Sequence, residues 1–356
     1  MFDSIIRSAI NSLPEYTPGK NAEQSGVIKL ASNENPFGPS PKAMEAAKSA
    51  LSKSNIYPDQ NSLLLREKLA ERFALIKDNF IIGNGSDEIM LMIAQVFLSA
   101  GDEVIISRNT FSLYEFVSKL MDGKINFIEL KDNSYDLDAM ADAVTVNTKL
   151  IFLCNPNNPT GTMFSKDAFD KFIKRIPENI IIVVDEAYGD FADKQSFYSG
   201  IGEIRNGARN IIVLKTFSKL YGLAGLRIGY GIADAQLIKY LNMSKFPFNV
   251  NVLAQAAAEA ALSDDAFVSK TLENNFAQKQ YVYNELHGMG QKFIESQSNF
   301  ICIELVKSAD SVFLTMLKDG VIIRPLTSFG LPNSIRVSVG TPDQNNKFIQ
   351  TLKKAI

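Results

Sequence analysis

Four short apolar runs constrain this chain more than any other feature: Val104-Ile105-Ile106, Leu150–Leu153, Ile180–Val184 and Ile211–Leu214. None of them alternates polar with apolar residues. A strand with one wet face shows a period of two, so runs without it belong to strands buried on both faces. Helical patterns lie between and before them, over 62–74, 111–121 and 166–176. In the first, Leu65, Leu69 and Phe73 recur at four-residue spacing and make one apolar face. Strand and helix therefore alternate, which predicts an α/β domain, doubly wound around a mostly parallel sheet.

The flanks read differently. Residues 1–45 carry Pro14, Pro18, Pro36, Pro39 and Pro41, which break any long helix. This segment is expected to be an arm lying on the rest of the molecule. A proline-free helical stretch covers about 252–286. Beyond it come a strand over 300–305, a helix near 309–319, strands over 321–324 and 335–339, and a last helix from Pro342. The expected organisation is an arm over 1–45 joining a small domain, a large domain over 46–260, and a small α+β domain over 261–356. At 356 residues the chain is long enough for two domains.

Composition removes several functions. Lys and Arg number 37 against 39 Asp and Glu, so the net charge of −2 offers no broad basic surface for nucleic acid or anionic lipid. Cys154, Cys302 and the single histidine, His287, do not make a zinc site or a disulfide framework. His287 is expected to be a solvated helix-end residue, which leaves Ser-His-Asp and Cys-His hydrolases without a base. No apolar run is long enough to span a bilayer, and the start lacks a signal-peptide pattern, so a cytoplasmic protein is expected.

In open parallel sheets ligands bind beyond the carboxyl ends of the strands. Cys154-Asn155-Pro156-Asn157-Asn158-Pro159-Thr160-Gly161 follows one run, Asp185-Glu186-Ala187-Tyr188 another, and Lys215-Thr216-Phe217-Ser218-Lys219, with Gly222, Gly225 and Arg227, a third. Gly83-Asn84-Gly85-Ser86-Asp87-Glu88 opens a helix; read as a bare helix start, it has Ser86 at the cap and acids in the first turn. The polar groups converge on one sheet edge. A helix start with small residues offers N–H groups to a phosphate, and Arg227, Ser218 and Thr216 complete a phosphate cup. An acid at a strand end pairs with a protonated ring nitrogen, a tyrosine and an asparagine hold a ring oxygen, and a lysine condenses with an aldehyde. Pyridoxal phosphate has all four of these groups. Spacing does not choose between Lys215 and Lys219. Glu88 stands where the dinucleotide fingerprint needs a third glycine, and no P-loop pattern occurs.

Asn-Pro-Thr-Gly (158–161), Asp-Glu-Ala-Tyr (185–188) and Thr-Phe-Ser-Lys (216–219) with Arg227 eight residues on resemble the fold-type I pyridoxal-phosphate aminotransferases. Ala-Ser-Asn-Glu-Asn-Pro-Phe-Gly-Pro-Ser-Pro (31–41), Tyr-Pro-Asp (57–59), Gly-Leu-Ala-Gly-Leu-Arg-Ile-Gly-Tyr (222–230) and Ile-Arg-Val-Ser-Val-Gly-Thr (335–341) narrow the resemblance to the branch acting on histidinol phosphate. The resemblance implies pyridoxal phosphate as cofactor and histidinol phosphate and 2-oxoglutarate, yielding glutamate, as small-molecule partners. It also implies a homodimer with shared sites, and no nucleic acid or membrane.

Position by position, it implies that Lys219 binds the cofactor aldehyde and shuttles a proton, and that Asp185 faces the ring nitrogen. Tyr188 and Asn158 would hold the ring oxygen, and Phe111 would stack on the ring. Ser86, Asp87, Thr216, Ser218 and Arg227 would take the phosphate, Asp87 through its backbone N–H. Tyr57 would reach the neighbouring subunit's cofactor. Tyr16, Asn33, Arg324 and Arg336 would contact substrate, the two arginines gripping its anionic groups. The same resemblance admits an aromatic amino-acid aminotransferase or, with a different reaction, a threonine-phosphate decarboxylase.

Overall fold

The computed structural model describes residues 5–11, 13 and 26–356. The four apolar runs lie in neighbouring strands of one seven-stranded sheet. Its order is Phe80–Gly83, Gly229–Ile232, Ile211–Thr216, Ile181–Asp185, Thr148–Cys154, Glu103–Ser107, Lys124–Ile128. Every pair is parallel except those of Gly229–Ile232, which runs antiparallel to both neighbours. Val104, Ile105, Leu150–Leu153, Ile182–Val184 and Ile211–Leu214 are all buried. That burial on both faces is why the runs show no alternation.

The helical patterns fold as Leu63–Phe73, Leu113–Leu120 and Lys166–Ile173. Leu65 and Leu69 are fully buried on the inner face of the first. Two expectations change. The stretch 252–286 is two helices, Val252–Ala261 and Asp265–Gly288, interrupted at Leu262–Asp264. Asp264 there bonds Ser40 Oγ at 2.6 Å and the Lys42 N–H at 3.2 Å, tying the break to another helix start. Pro41, expected to break a helix, is instead the first residue of helix Pro41–Ala50, where its missing N–H costs nothing.

The C-terminal part builds a second sheet, antiparallel, in the order Phe293–Ile294, Phe300–Glu304, Ser334–Ser338, Arg324–Pro325. The expected strand over 321–324 is split. Val321–Ile322 pairs instead in parallel with Ile28–Lys29, near the start of the chain. A separate apolar cluster, with Leu30, Leu286, Ile301, Val312, Ile335 and Phe348 among its buried members, lies beneath these strands. His287 is exposed near the end of its helix, its ring edge-on to Phe293. Among the described residues, no helix is long and apolar enough to cross a membrane.

Candidate active site

Three adjacent strands end on the polar stretches singled out in the sequence. Asp185 is the last residue of its strand and sits in register beside Cys154, the last of the next; Thr216 ends the strand on the other side. Helix Ser86–Phe97 begins just beyond the end of strand Phe80–Gly83. Between them is a cavity of about 210 Å³, lined among others by Ser86, Asp87, Phe111, Asn158, Asp185, Tyr188, Thr216, Ser218, Lys219 and Arg227. These residues are brought together from positions 86 to 227 by one edge of the large sheet.

Asp185 is buried, and burial pushes its carboxyl up to about 6; hydrogen bonds from the Tyr114 hydroxyl at 2.7 Å and the Ala187 N–H at 3.0 Å pull the other way. A carboxylate held this way gains most from a cation placed beside it. Lys219 Nζ donates to the Ser32 carbonyl at 3.0 Å and lies 5.9 Å from the Tyr188 ring centroid. Burial, helped by the Arg336 guanidinium, lowers its amine to about 8. Lys215 is a different group. Successive strand residues face opposite sides, and Lys215 points away from the cavity to Asp190, 3.2 Å away, and Glu186, 3.9 Å away. Spacing left the two lysines equal, whereas the structure puts Lys219 alone of the two on the cavity wall.

Tyr188 OH accepts from Asn33 Nδ2 at 2.9 Å, and burial raises its phenol to about 12. Asn158 Oδ1 accepts from Arg336 Nη1, whose Nη2 donates to the Ala31 carbonyl at 2.8 Å. Arg324 sits directly opposite Arg336 across the antiparallel strands. Phe111 lines the cavity, its ring perpendicular to that of Tyr114 with centroids 5.7 Å apart. Thr216 Oγ1 accepts from the Ser218 N–H at 3.0 Å.

At the helix start the cap is Gly85, not Ser86, which is the first helical residue. Gly85 takes a φ of +81°, and a Cβ there would lie 2.7 Å from Arg227 Nη2. Such a backbone favours glycine, so the cap position falls to it. Arg227 pairs with the Asp87 carboxylate at 3.1 Å. That pairing occupies the acid, so a phosphate at this helix start would meet the N–H groups of the first turn and the arginine.

Tyr57 stands outside the cavity, 79% exposed and stacked on Phe248 at 4.5 Å. Tyr16 lies outside the described residues. Sequence reasoning missed Tyr114, and also Ser32 and Glu34, which line the cavity. Tyr114 reads as one more apolar position on a helix, and only the packing of that helix on the sheet brings its hydroxyl to Asp185.

The donor set fits pyridoxal phosphate. Anion-binding N–H groups and Arg227 stand at one end, a buried acid and a half-buried amine line the same cavity, and Gly85 and Gly229 keep the helix start free of Cβ atoms. The model for aminotransferases of class I and II matches residues 25–352. The chain belongs to that family. Similar proteins include "Histidinol-phosphate aminotransferase 2" of Carboxydothermus hydrogenoformans, 44% identical over 99% of each chain. A histidinol-phosphate aminotransferase of Moorella thermoacetica is 43% identical over 98% of this chain and 92% of its own. Among solved structures, a histidinol-phosphate aminotransferase of Sinorhizobium meliloti in complex with pyridoxal-5'-phosphate has a TM-score of 0.89 at 24% identity, covering 99% of both chains. That last likeness is one of fold, the fold-type I α/β architecture expected from the sequence.

Proposed function

We propose that this aminotransferase moves the amino group of L-histidinol phosphate to 2-oxoglutarate, giving imidazole-acetol phosphate and glutamate, as a cytoplasmic step of histidine biosynthesis. The observation that carries the reading is likeness along essentially the whole chain, at 43–44% identity, to relatives bearing that activity in their names. The paired arginines support it, because guanidinium groups suit a substrate phosphate and a keto-acid carboxylate.

When bound, pyridoxal phosphate supplies an aldehyde that takes up the amino group and a ring that draws electrons from the carbon losing its proton. Asp185 would hold positive charge at the ring nitrogen. Tyr188 and Asn158 would orient the ring oxygen, and Phe111 would cover one face. The first-turn N–H groups of Ser86 and Asp87, with Thr216, Ser218 and Arg227, would hold the phosphate. Lys219 Nζ would take and return the proton of the substrate's α-carbon; its lowered pKa leaves a neutral fraction of the amine near neutral pH. Asn33, Arg324 and Arg336 would position substrate, joined by Tyr16 from a neighbouring subunit. Tyr57, exposed on this chain, would reach the neighbour's cofactor, so the working unit is a homodimer.

Single-turnover absorption spectra of the cofactor-loaded protein test the reading. Histidinol phosphate, phenylalanine and threonine phosphate are added separately without a keto acid. Histidinol phosphate is expected to convert the cofactor fastest. Faster conversion by phenylalanine would move the enzyme to aromatic amino acids, and carbon dioxide released from threonine phosphate would make it a decarboxylase.

A further inference from the structure

Arg324 and Arg336 lie directly opposite one another, an arrangement of like charges that needs support. Arg336 has it, from Asn158, the Ala31 carbonyl and the Phe300 ring 5.3 Å away. Arg324 is held more loosely. Its Nη2 meets Ser328 Oγ at 3.3 Å, and the Phe329 ring centroid lies 6.0 Å from its guanidinium and 6.0 Å from that of Arg336. Ser328 and Phe329 belong to one short turn, Thr327–Phe329. That turn is pinned at its first residue within the small sheet's lobe, where Thr327 Oγ1 donates to Asp310 Oδ2 at 2.9 Å. Its other end is pinned from across the cleft: Asn109 Nδ2 donates to the Phe329 carbonyl at 2.6 Å.

Asn109 is well built for reaching across. Its φ of +52° is a conformation asparagine tolerates better than most residues. Its own carbonyl accepts from Asn157 Nδ2 at 3.2 Å, and Asn157 is the neighbour of Asn158, which accepts from Arg336. One pair of loops on the large sheet thus holds both Arg336 and the turn that carries the contacts of Arg324. Gly330 completes the fit, with a φ of +77° and a would-be Cβ 3.0 Å from Asn109 Nδ2.

We infer that Asn109 is a specificity-determining positioning residue: its hydrogen bond to Phe329 holds the Thr327–Phe329 turn over the two arginines and thereby sets the pocket for the anionic end of the substrate. The substrate arm of this inference rests on the proposed function; the placement of Arg324 does not. Asn109→Gly is the informative variant, since glycine tolerates the positive φ and removes the side chain that makes the bond.

Two readouts test it. Losing one bridging hydrogen bond is expected to lower kcat/KM for histidinol phosphate by about tenfold, mostly through KM, and for histidinol, which lacks the phosphate, by less than about threefold. Equal losses for both substrates would make Asn109 merely structural and overturn the inference, as would no loss for either. Independently of any substrate, Arg324 in the loaded protein is expected to react with phenylglyoxal several-fold faster in the variant, as mapped by mass spectrometry. An unchanged rate would overturn the inference. Wild-type protein inert toward histidinol phosphate but showing the faster Arg324 reaction in the variant would fail the proposed function alone.

Discussion

Burial in the cavity shifts the amine of Lys219 down and the carboxyl of Asp185 up, and each makes a testable prediction. The amine of Lys219, lowered to about 8, attacks an aldehyde only when neutral. Its neutral fraction grows as pH rises through that value. The rate of cofactor loading into stripped protein is therefore expected to climb between about pH 7 and 9 and then level off, whereas an ordinary lysine would still be gaining near 10. A rate flat across this range would contradict the placement. Tyr114 donates to the Asp185 carboxylate and so favours its ionised form. Tyr114→Phe is expected to raise the carboxyl above its present value of about 6, read by infrared titration of the stripped protein, and to weaken cofactor affinity. An unshifted titration would show that the hydroxyl does not act on the acid.

Between elements, the decisive contact is that of strand Gly229–Ile232 with the start of helix Ser86–Phe97. A Cβ on Gly229 would lie 2.5 Å from the Ser86 nitrogen and 3.0 Å from the Lys215 carbonyl, both backbone atoms that cannot swing away. Gly229→Ala is expected to cost about 1–3 kcal/mol of stability by overpacking and to displace the N–H groups that would hold phosphate. Denaturant melts and cofactor titration of the variant check both effects; an unchanged affinity would mean that the helix start is not the phosphate site. The sheet was legible because burial on both faces removes alternation from Leu150–Leu153 and Ile211–Leu214, and the site was legible because its residues follow those strands directly. What the sequence hid was set by distant partners. The break at Leu262–Asp264 depends on Ser40 and Lys42, and the role of Tyr114 on a strand that begins 67 residues later. Gly85 rather than Ser86 at the cap follows from a backbone angle and from the Arg227 guanidinium packed close by.

At the scale of the whole molecule, the buried side chains form two separate cores, with Ala43 and Ala261 in the larger and Leu30 in the smaller; the proposed division remains a large unit over 46–260, a small one over 261–356 and an arm over 1–45 that joins the small one. Pairing of Ile28–Lys29 with Val321–Ile322 and the bonds of Asn33 to Ser338 and Tyr188 tie the chain's beginning to both. The proposed homodimer predicts complementation. Tyr57→Ala and Lys219→Ala proteins, each inactive or severely weakened alone, are expected to regain activity when unfolded together and refolded, because a mixed dimer then has one site with neither lesion. Absence of recovery, with mixed dimers demonstrated by mass, would place Tyr57 outside the neighbour's site. The most direct test of Lys219 as the cofactor's lysine is to load the protein with pyridoxal phosphate, reduce it with borohydride and map the labelled peptide. Three lysines are worth separating: Lys219 in the cavity, Lys215 locked to Asp190 and Glu186, and Lys279, likewise lowered to about 8 by burial but bonded to the Ser296 carbonyl. The label is expected on Lys219 alone. A label on Lys215 or Lys279, or none at all, would contradict it.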